Sequence, residues 1–258
     1  MVKLKSQDEI VKLKQGGAIL AKILRELETF TKENYKNDGF TALSIDKKTE
    51  ELLNSYGAKS SFKGYHSNPN QSPFPANICV SINDEVVHGI PENEKLNEGD
   101  IVGLDLGVIY KNLYTDAAIS FILGEGRVQD KKMIEVARKA LYEGIKKVVL
   151  GNTIGDIGQA IEEYVLNNGF KLVRDYCGHG VGFSVHEEPP VPNYGKAGEG
   201  EKLQEGMVIA IEPMVVLEDD KVYVDKNGWT VKTADGGRAA HWEHSIAVTK
   251  EGPIILTE

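Results

Sequence analysis

The chain has 258 residues, 41% of them hydrophobic and 27% charged, a balance that excludes an intrinsically disordered, collagen-like or coiled-coil protein. Its formal net charge of −9 and pI of about 5.3 argue against a nucleic-acid or anionic-membrane binder, whose surface would be basic. Cys79 and Cys177 show no framework spacing and read as reduced thiols. Lysines break up any apolar leader, and no apolar run nears the roughly 20 residues of a membrane span. The expectation is a cytoplasmic protein.

In chain order, Ser6-Gln7-Asp8-Glu9 has the form of a capping box, in which Ser6 and Glu9 satisfy free N–H groups at a helix start. Ile10, Leu13, Leu20, Leu24 and Leu27 then recur near helical spacing. A second helix is predicted from Ser44 to Tyr56. The Asn-, Pro- and Ser-rich stretch from Gly64 to Asn77 reads as a long loop. Strands are predicted at Ile78 to Ile82, Ile101 to Tyr110 and Leu113 to Leu123, and helices at Asp130 to Leu150 and Ile154 to Asn167. Further strands are predicted at Leu172 to Tyr176, Met207 to Val216, Lys221 to Tyr223 and His241 to Val248. Strands adjacent in sequence favour antiparallel pairing, so the fold class is α+β. No linker divides the chain, and one domain over residues 1–258 is expected.

Three apolar strand-like runs each carry an acid: Asp105 in IVGLDLGVIY, Glu212 in MVIAIEPMVV and Glu243 in AAHWEHSIAV. A buried carboxylate is costly unless it is paired or bound to a metal. A reversal centred between Tyr110 and Lys111 sets Asp105 directly opposite Asp116, where like charges repel. Divalent cations convert that repulsion into coordination. The other reading is that these acids pair with Lys or Arg, or that their strands have solvated faces. His179 stands among glycines in CGHGVG, His186 precedes EEPP, and His88 sits in VVHGIP. Four carboxylates and one imidazole suit Mn, Fe, Co or Zn better than a thiolate zinc site.

VVHGIP, GLDLGVIYKNLYTDAA, CGHGVGFSVHEEPPVPN, IEPM and WEHS resemble, in order and spacing, the motifs of the methionine aminopeptidases, a branch of the pita-bread metallohydrolases. The resemblance runs over nearly the whole chain. The short interval between His186 and Glu212 leaves no room for the helical insert of type II enzymes, so the chain looks like the bacterial type I form. The resemblance implies a pita-bread fold: an antiparallel sheet with helices on its outer face and two pseudo-symmetric halves around a dinuclear metal site. It implies that Asp105, Asp116, His179, Glu212 and Glu243 hold two divalent ions (Co, Mn, Fe, Zn or Ni), with Asp116 and Glu243 bridging, and that Glu212 also relays protons. His88 and His186 would contact the scissile amide and stabilise the tetrahedral intermediate. Tyr65, His66, Cys79 and Trp229 would form the methionine pocket. Val185 stands where the family often has an aromatic residue, and Ala239 where it often has Ser. Nascent polypeptides with a free N-terminal methionine would be the substrates, cleaved when the second residue is small. Transient ribosome contact and a monomeric state complete the implied picture, with no membrane and no sequence-specific nucleic acid. The competing readings are a prolidase or aminopeptidase P, and a non-catalytic pita-bread protein that binds ribosomes or RNA.

Overall fold

The structure, a computed structural model, describes residues 2–66 and 71–258. Helix α1 spans Gln7–Asn34 and opens on the capping box: Ser6 Oγ accepts the Glu9 N–H, and Glu9 accepts the Ser6 N–H at 2.8 Å. All five of its apolar positions named above are buried. Gly16 and Gly17 interrupt it, at a cost of roughly 0.5–1 kcal/mol each relative to Ala. Space accounts for Gly17, because a Cβ there would lie 2.1 Å from the Leu256 carbonyl oxygen. Helix α2 spans Ala42–Ser55, starting two residues before the predicted point because Thr41, not a later residue, caps it.

These helices cover one face of a sheet built from the strands Lys59–Ser60, Ile101–Tyr110, Cys79–Ile82 and Leu113–Ile122. The period of two decides what each face carries. Val102, Leu104, Leu106 and Val108 join Leu20, Leu24 and Leu27 in one core. Asp105 alternates with them and therefore lies on the opposite face. Ala117, Ile119 and Phe121 enter the same core, which turns Asp116 the same way as Asp105.

The second half repeats this arrangement with different residues. Helices α3 (Val128–Ile145) and α4 (Ile154–Asn167) pack Val136, Ala140, Leu141, Ile157 and Ile161 against Ile209, Ile211, Ile246 and Val248. The sheet they cover has the order Gly252–Ile255, His244–Thr249, Val208–Ile211, Gly178–Gly180, Glu187–Val191. The halves meet where Ala118 and Glu243 exchange backbone hydrogen bonds. Beside that bridge, Ser245 Oγ accepts the Asp116 N–H at 2.9 Å and donates to the Asp116 carbonyl at 2.8 Å. Among the described residues two three-stranded sheets complete the architecture, one of them pairing Met214–Val216 with Ala239–His241. The architecture is α+β with antiparallel pairing throughout.

Two further expectations are corrected. The first concerns the hairpin register. Tyr110 pairs with Leu113, and Lys111 and Asn112 form the two-residue turn with φ of 50° and 62°. Positive φ at both central residues matches the twist of flanking strands, which is why tight hairpins adopt it. Asp105 therefore opposes Ala118, and Asp116 opposes Gly107. The two acids share a face diagonally, not directly. The second concerns long strands. The predicted Met207 to Val216 and His241 to Val248 are each broken, at Glu212-Pro213 and at Trp242-Glu243. Proline cannot donate to a ladder, and both breaks leave a glutamate between two strands.

Candidate metal centre and substrate cavity

The acids reach the centre by two local devices. Asp105 and Asp116 come from the hairpin face turned away from α1. Glu212 and Glu243 come from the two strand breaks, where Asn193 Nδ2 holds the Glu212 carbonyl at 3.0 Å. His179 comes from the short strand Gly178–Gly180. Its Nδ1 lies 2.9 Å from the Gly180 carbonyl oxygen. Only an Nδ1–H can make that contact, so the Nε2 lone pair is the free one. Burial pulls the His179 pKa down to about 3, which keeps the ring neutral.

Asp116, His179 and Glu243 each offer a ligand atom, all within 4.8 Å of one another. Glu212 Oε1 lies 3.6 Å from His179 Nε2. Asp105, Asp116, Glu212 and Glu243 are all 9% exposed or less. Oxygens of three of them, Asp105 Oδ1, Asp116 Oδ1 and Glu243 Oε1, have no hydrogen-bond partner among the described residues. Burial pushes the Asp105 carboxyl up to about 7. Asp116 and Glu243 are driven well above the carboxylate range, by burial first and then by the charges of the neighbouring acids. Buried polar atoms are normally satisfied, and four crowded carboxylates repel. Both deficits vanish if cations bind, so the residues fit a divalent metal centre.

A cavity of about 390 Å³ opens directly on this cluster. Its inner wall is apolar: Phe62, Tyr65, Phe74, Cys79 and Trp229. Cys79 stands opposite Asp105 in the ladder, and burial followed by the nearby acids raises its thiol pKa well above normal. The thiol is thus protonated wall, not a nucleophile. Phe74 meets the Trp229 ring edge-on at 5.3 Å, and the indole N–H donates to the Ser72 carbonyl at 3.0 Å. An adjoining cavity of about 260 Å³ shares His88, His179, His186 and Glu212 with the first.

His88 adopts φ of 59°, and Gly89 follows it because a Cβ there would lie 2.3 Å from the Val80 carbonyl oxygen. Burial lowers the His88 pKa to about 4. His186 stands at the mouth with Nδ1 2.8 Å from the Tyr65 hydroxyl and its ring 4.3 Å from that of His179. Of the expected pocket residues, Tyr65, Cys79 and Trp229 line the cavity. His66 is exposed and is not among the lining residues. Val185 is buried and does not line the cavity either. Sequence reasoning missed Phe62, Phe74 and His241. Phe74, flanked by prolines in a polar loop, was an apolar residue without an element to bury it, which was the available signal. His241 is buried with Nε2 3.5 Å from Glu212 Oε2, and nothing local in the sequence indicates that contact.

The sequence profile of metallopeptidase family M24 matches residues 11–250. A methionine aminopeptidase of Clostridium acetobutylicum is 43% identical over 258 residues, covering 100% of this chain and 99% of its own. One from Aquifex aeolicus is 43% identical over 260 residues, with 100% and 99% covered. The crystal structure of methionine aminopeptidase from Thermotoga maritima matches with a TM-score of 0.92 at 42% identity, over 100% of both chains. A prolidase from Pyrococcus horikoshii shares the fold alone, with a TM-score of 0.72 at 23% identity over 99% of this chain and 63% of that one. The α+β architecture is thus the pita-bread fold expected from the sequence motifs.

Proposed function

This chain belongs to metallopeptidase family M24, and we propose that it removes N-terminal methionine from nascent polypeptides whose second residue is small. One observation carries the reading: an apolar, aromatic and thiol-lined cavity opens straight onto a cluster of four buried carboxylates and a histidine. The thioether of methionine suits such a wall, since sulfur packs well against aromatic edges. Asp105, Asp116, His179, Glu212 and Glu243 would hold the metal. We read two divalent ions, because four carboxylates and an imidazole carry more charge and donor atoms than one ion takes up. The oxygen-rich set suits Co, Mn, Fe, Zn or Ni. When bound, the ions supply a water activated at neutral pH and a Lewis acid for the scissile carbonyl.

The chain's own side chains do the rest. Tyr65, Phe74, Cys79 and Trp229 seat the methionine side chain and keep bulk water from it. His88 and His186 flank the junction of the two cavities, where the scissile amide would lie. Both are held below the ordinary histidine pKa by desolvation, so each is a neutral ring that donates one N–H to developing charge without carrying charge of its own. The Tyr65 hydroxyl against Nδ1 orients the His186 ring. The Glu212 carboxyl is raised by burial, which favours its taking a proton and passing it on. The second cavity receives the second residue, and the rings of His88 and Tyr176, 5.8 Å apart, narrow it.

His186→Ala is expected to lower kcat by about 10²–10³-fold, the usual cost of one lost transition-state donor, at unchanged metal content. Metal analysis beside steady-state kinetics checks this, and loss of metal in the variant would make His186 a ligand instead. The reading as a whole is tested with a peptide series varied independently at positions one and two. Met-Ala-Ser is expected to be cleaved, Met-Leu-Ser at least about 10-fold more slowly, and formyl-Met and Xaa-Pro peptides not at all. Discrimination of that size matches the 1–3 kcal/mol or so that a side-chain pocket supplies. Equal kcat/KM for Met-Ala and Met-Leu peptides would refute the small-residue rule, and cleavage confined to Xaa-Pro would replace the reading with a prolidase.

A further inference from the structure

His186 sits on the loop that joins Gly178–Gly180 to Glu187–Val191, so its position depends on what holds that loop. The next residue, Glu187, does not aim its carboxylate at the metal cluster. Its Oε1 accepts the N–H groups of Phe183 at 2.6 Å and Ser184 at 2.9 Å, which closes the loop upon itself. Its Oε2 accepts from Lys5 Nζ at 2.6 Å. The Lys5 and Glu187 side chains are 1% and 3% exposed.

Lysine is almost never fully buried unless paired, and here the whole side chain is placed. The Lys5 N–H donates to the Gly206 carbonyl at 2.7 Å, and Nζ also donates to the Lys3 carbonyl at 3.0 Å. Its Cε lies where a Cβ on Gly182 would come within 2.4 Å. Its ammonium stands 5.1 Å from the centre of the Phe183 ring. Lys5 lines neither cavity. It touches the loop through Gly182, Phe183 and Glu187, at both of its ends.

We propose that Lys5, from the segment preceding α1, is a positioning residue for the proposed reaction: its buried ion pair with Glu187 locks the loop between His179 and His186 and holds His186 at the cavity mouth. This rests on the role given to His186 above. Removing one partner of a buried pair leaves the other uncompensated, so the loop must shift to hydrate the stranded carboxylate. The shift displaces His186 more than His179, because His179 lies within the sheet. Catalysis should suffer while the metal site survives.

The test compares Lys5→Met, Lys5→Arg and the unaltered chain, all loaded with Mn. The readouts are amide hydrogen exchange over residues 181–186, Mn affinity by calorimetry, and kcat and KM on Met-Ala-Ser. Lys5→Met should speed exchange in that loop and lower kcat by about 10–100-fold, the scale of an ångström's misplacement. Mn affinity and KM should stay within about twofold, the split expected when a transition-state contact is lost. Lys5→Arg should restore most of the kcat, because it keeps the charge at Glu187. Unchanged loop exchange and kcat in folded Lys5→Met, or a loss of Mn affinity in step with activity, would overturn the proposal. Glu187→Gln provides the same comparison if Lys5→Met fails to fold, since the amide oxygen still accepts from Phe183 and Ser184. An unaltered chain inactive on Met-Ala-Ser would sink the functional reading, whereas the exchange comparison reads the lock independently.

Discussion

Asp116→Ala is expected to lower kcat/KM by about 10³-fold or more, while Asp84→Ala stays within about twofold of the unaltered chain. Residues that merely support metal ligands already cost about 10–100-fold when removed, and Asp116 sits inside the ligand cluster itself. It is 3% exposed, its Oδ1 has no partner among the described residues, and its oxygens face His179 and Glu243. Asp84 is half-buried away from the cavity, and its carboxylate meets Lys232 Nζ at 3.2 Å, a solvent-accessible pair worth about 0–1 kcal/mol. Both backbones are anchored: the Asp116 N–H and carbonyl by Ser245 Oγ, and the Asp84 carbonyl by the Thr233 N–H. Thermal scans of both variants report any folding defect, and bound metal per chain, measured with activity, reports loss of the ligand. Comparable activity in both folded variants would remove Asp116 from the ligand set.

Stripping the metal is expected to abolish activity and to reshape how stability depends on pH. In the metal-free chain, Asp105 titrates near 7, and Asp116 and Glu243 titrate well above their usual range. Their unfolded forms ionise near pH 4. Between those limits the native state holds protons that the unfolded state has released, so stability falls as pH rises. The histidines act in the opposite direction. His88, His179 and His244 titrate at about 4, 3 and 4 when folded, against about 6.5 unfolded. Their contribution is complete above pH 6.5 and is lost as pH falls towards 4.

From about pH 4 to 6 the two sets of groups nearly cancel, so the metal-free chain should be most stable near pH 5–6 and lose Tm steadily above that as the carboxylates ionise. Between pH 7 and 9 the histidines no longer titrate, and carboxylate repulsion on the order of a few kcal/mol corresponds to a Tm loss of about 5–10 °C for a chain of this size. Mn or Co should abolish that alkaline loss, since the ions neutralise the carboxylates in place of protons and bind only the native state. Thermal scans of chelated and reloaded protein from pH 5 to 9, with peptidase assays at each point, check both claims. Parallel Tm profiles with and without metal above pH 7, or full activity after verified removal, would refute the metal centre.

Much of this was legible in the sequence because it depends on local rules. The capping box at Ser6 and Glu9 satisfies its own N–H groups within four residues, so the start of α1 follows from identity alone. The alternation of Val102, Leu104, Leu106 and Val108 against Asp105 forces one acid onto the face opposite the core. Carboxylates in apolar runs are conspicuous because their burial is expensive, and all of those singled out converge on one cluster. What the tertiary structure alone decided depends on relations across distance. The hairpin register turned on which two residues could take positive φ, and Lys111-Asn112 moved Asp116 from opposite Asp105 to opposite Gly107. The place of Glu243 depends on the bridge between the two halves, which pairs it with Ala118 across more than a hundred residues of chain. His66 and Phe74 stand near each other in a polar loop, yet only Phe74 folds back to meet Trp229. Lys5 reads as one more surface lysine in a basic N-terminal segment. Only the closed fold brings Glu187 to it and excludes water from both, and desolvation at a contact between distant segments leaves no mark in local sequence.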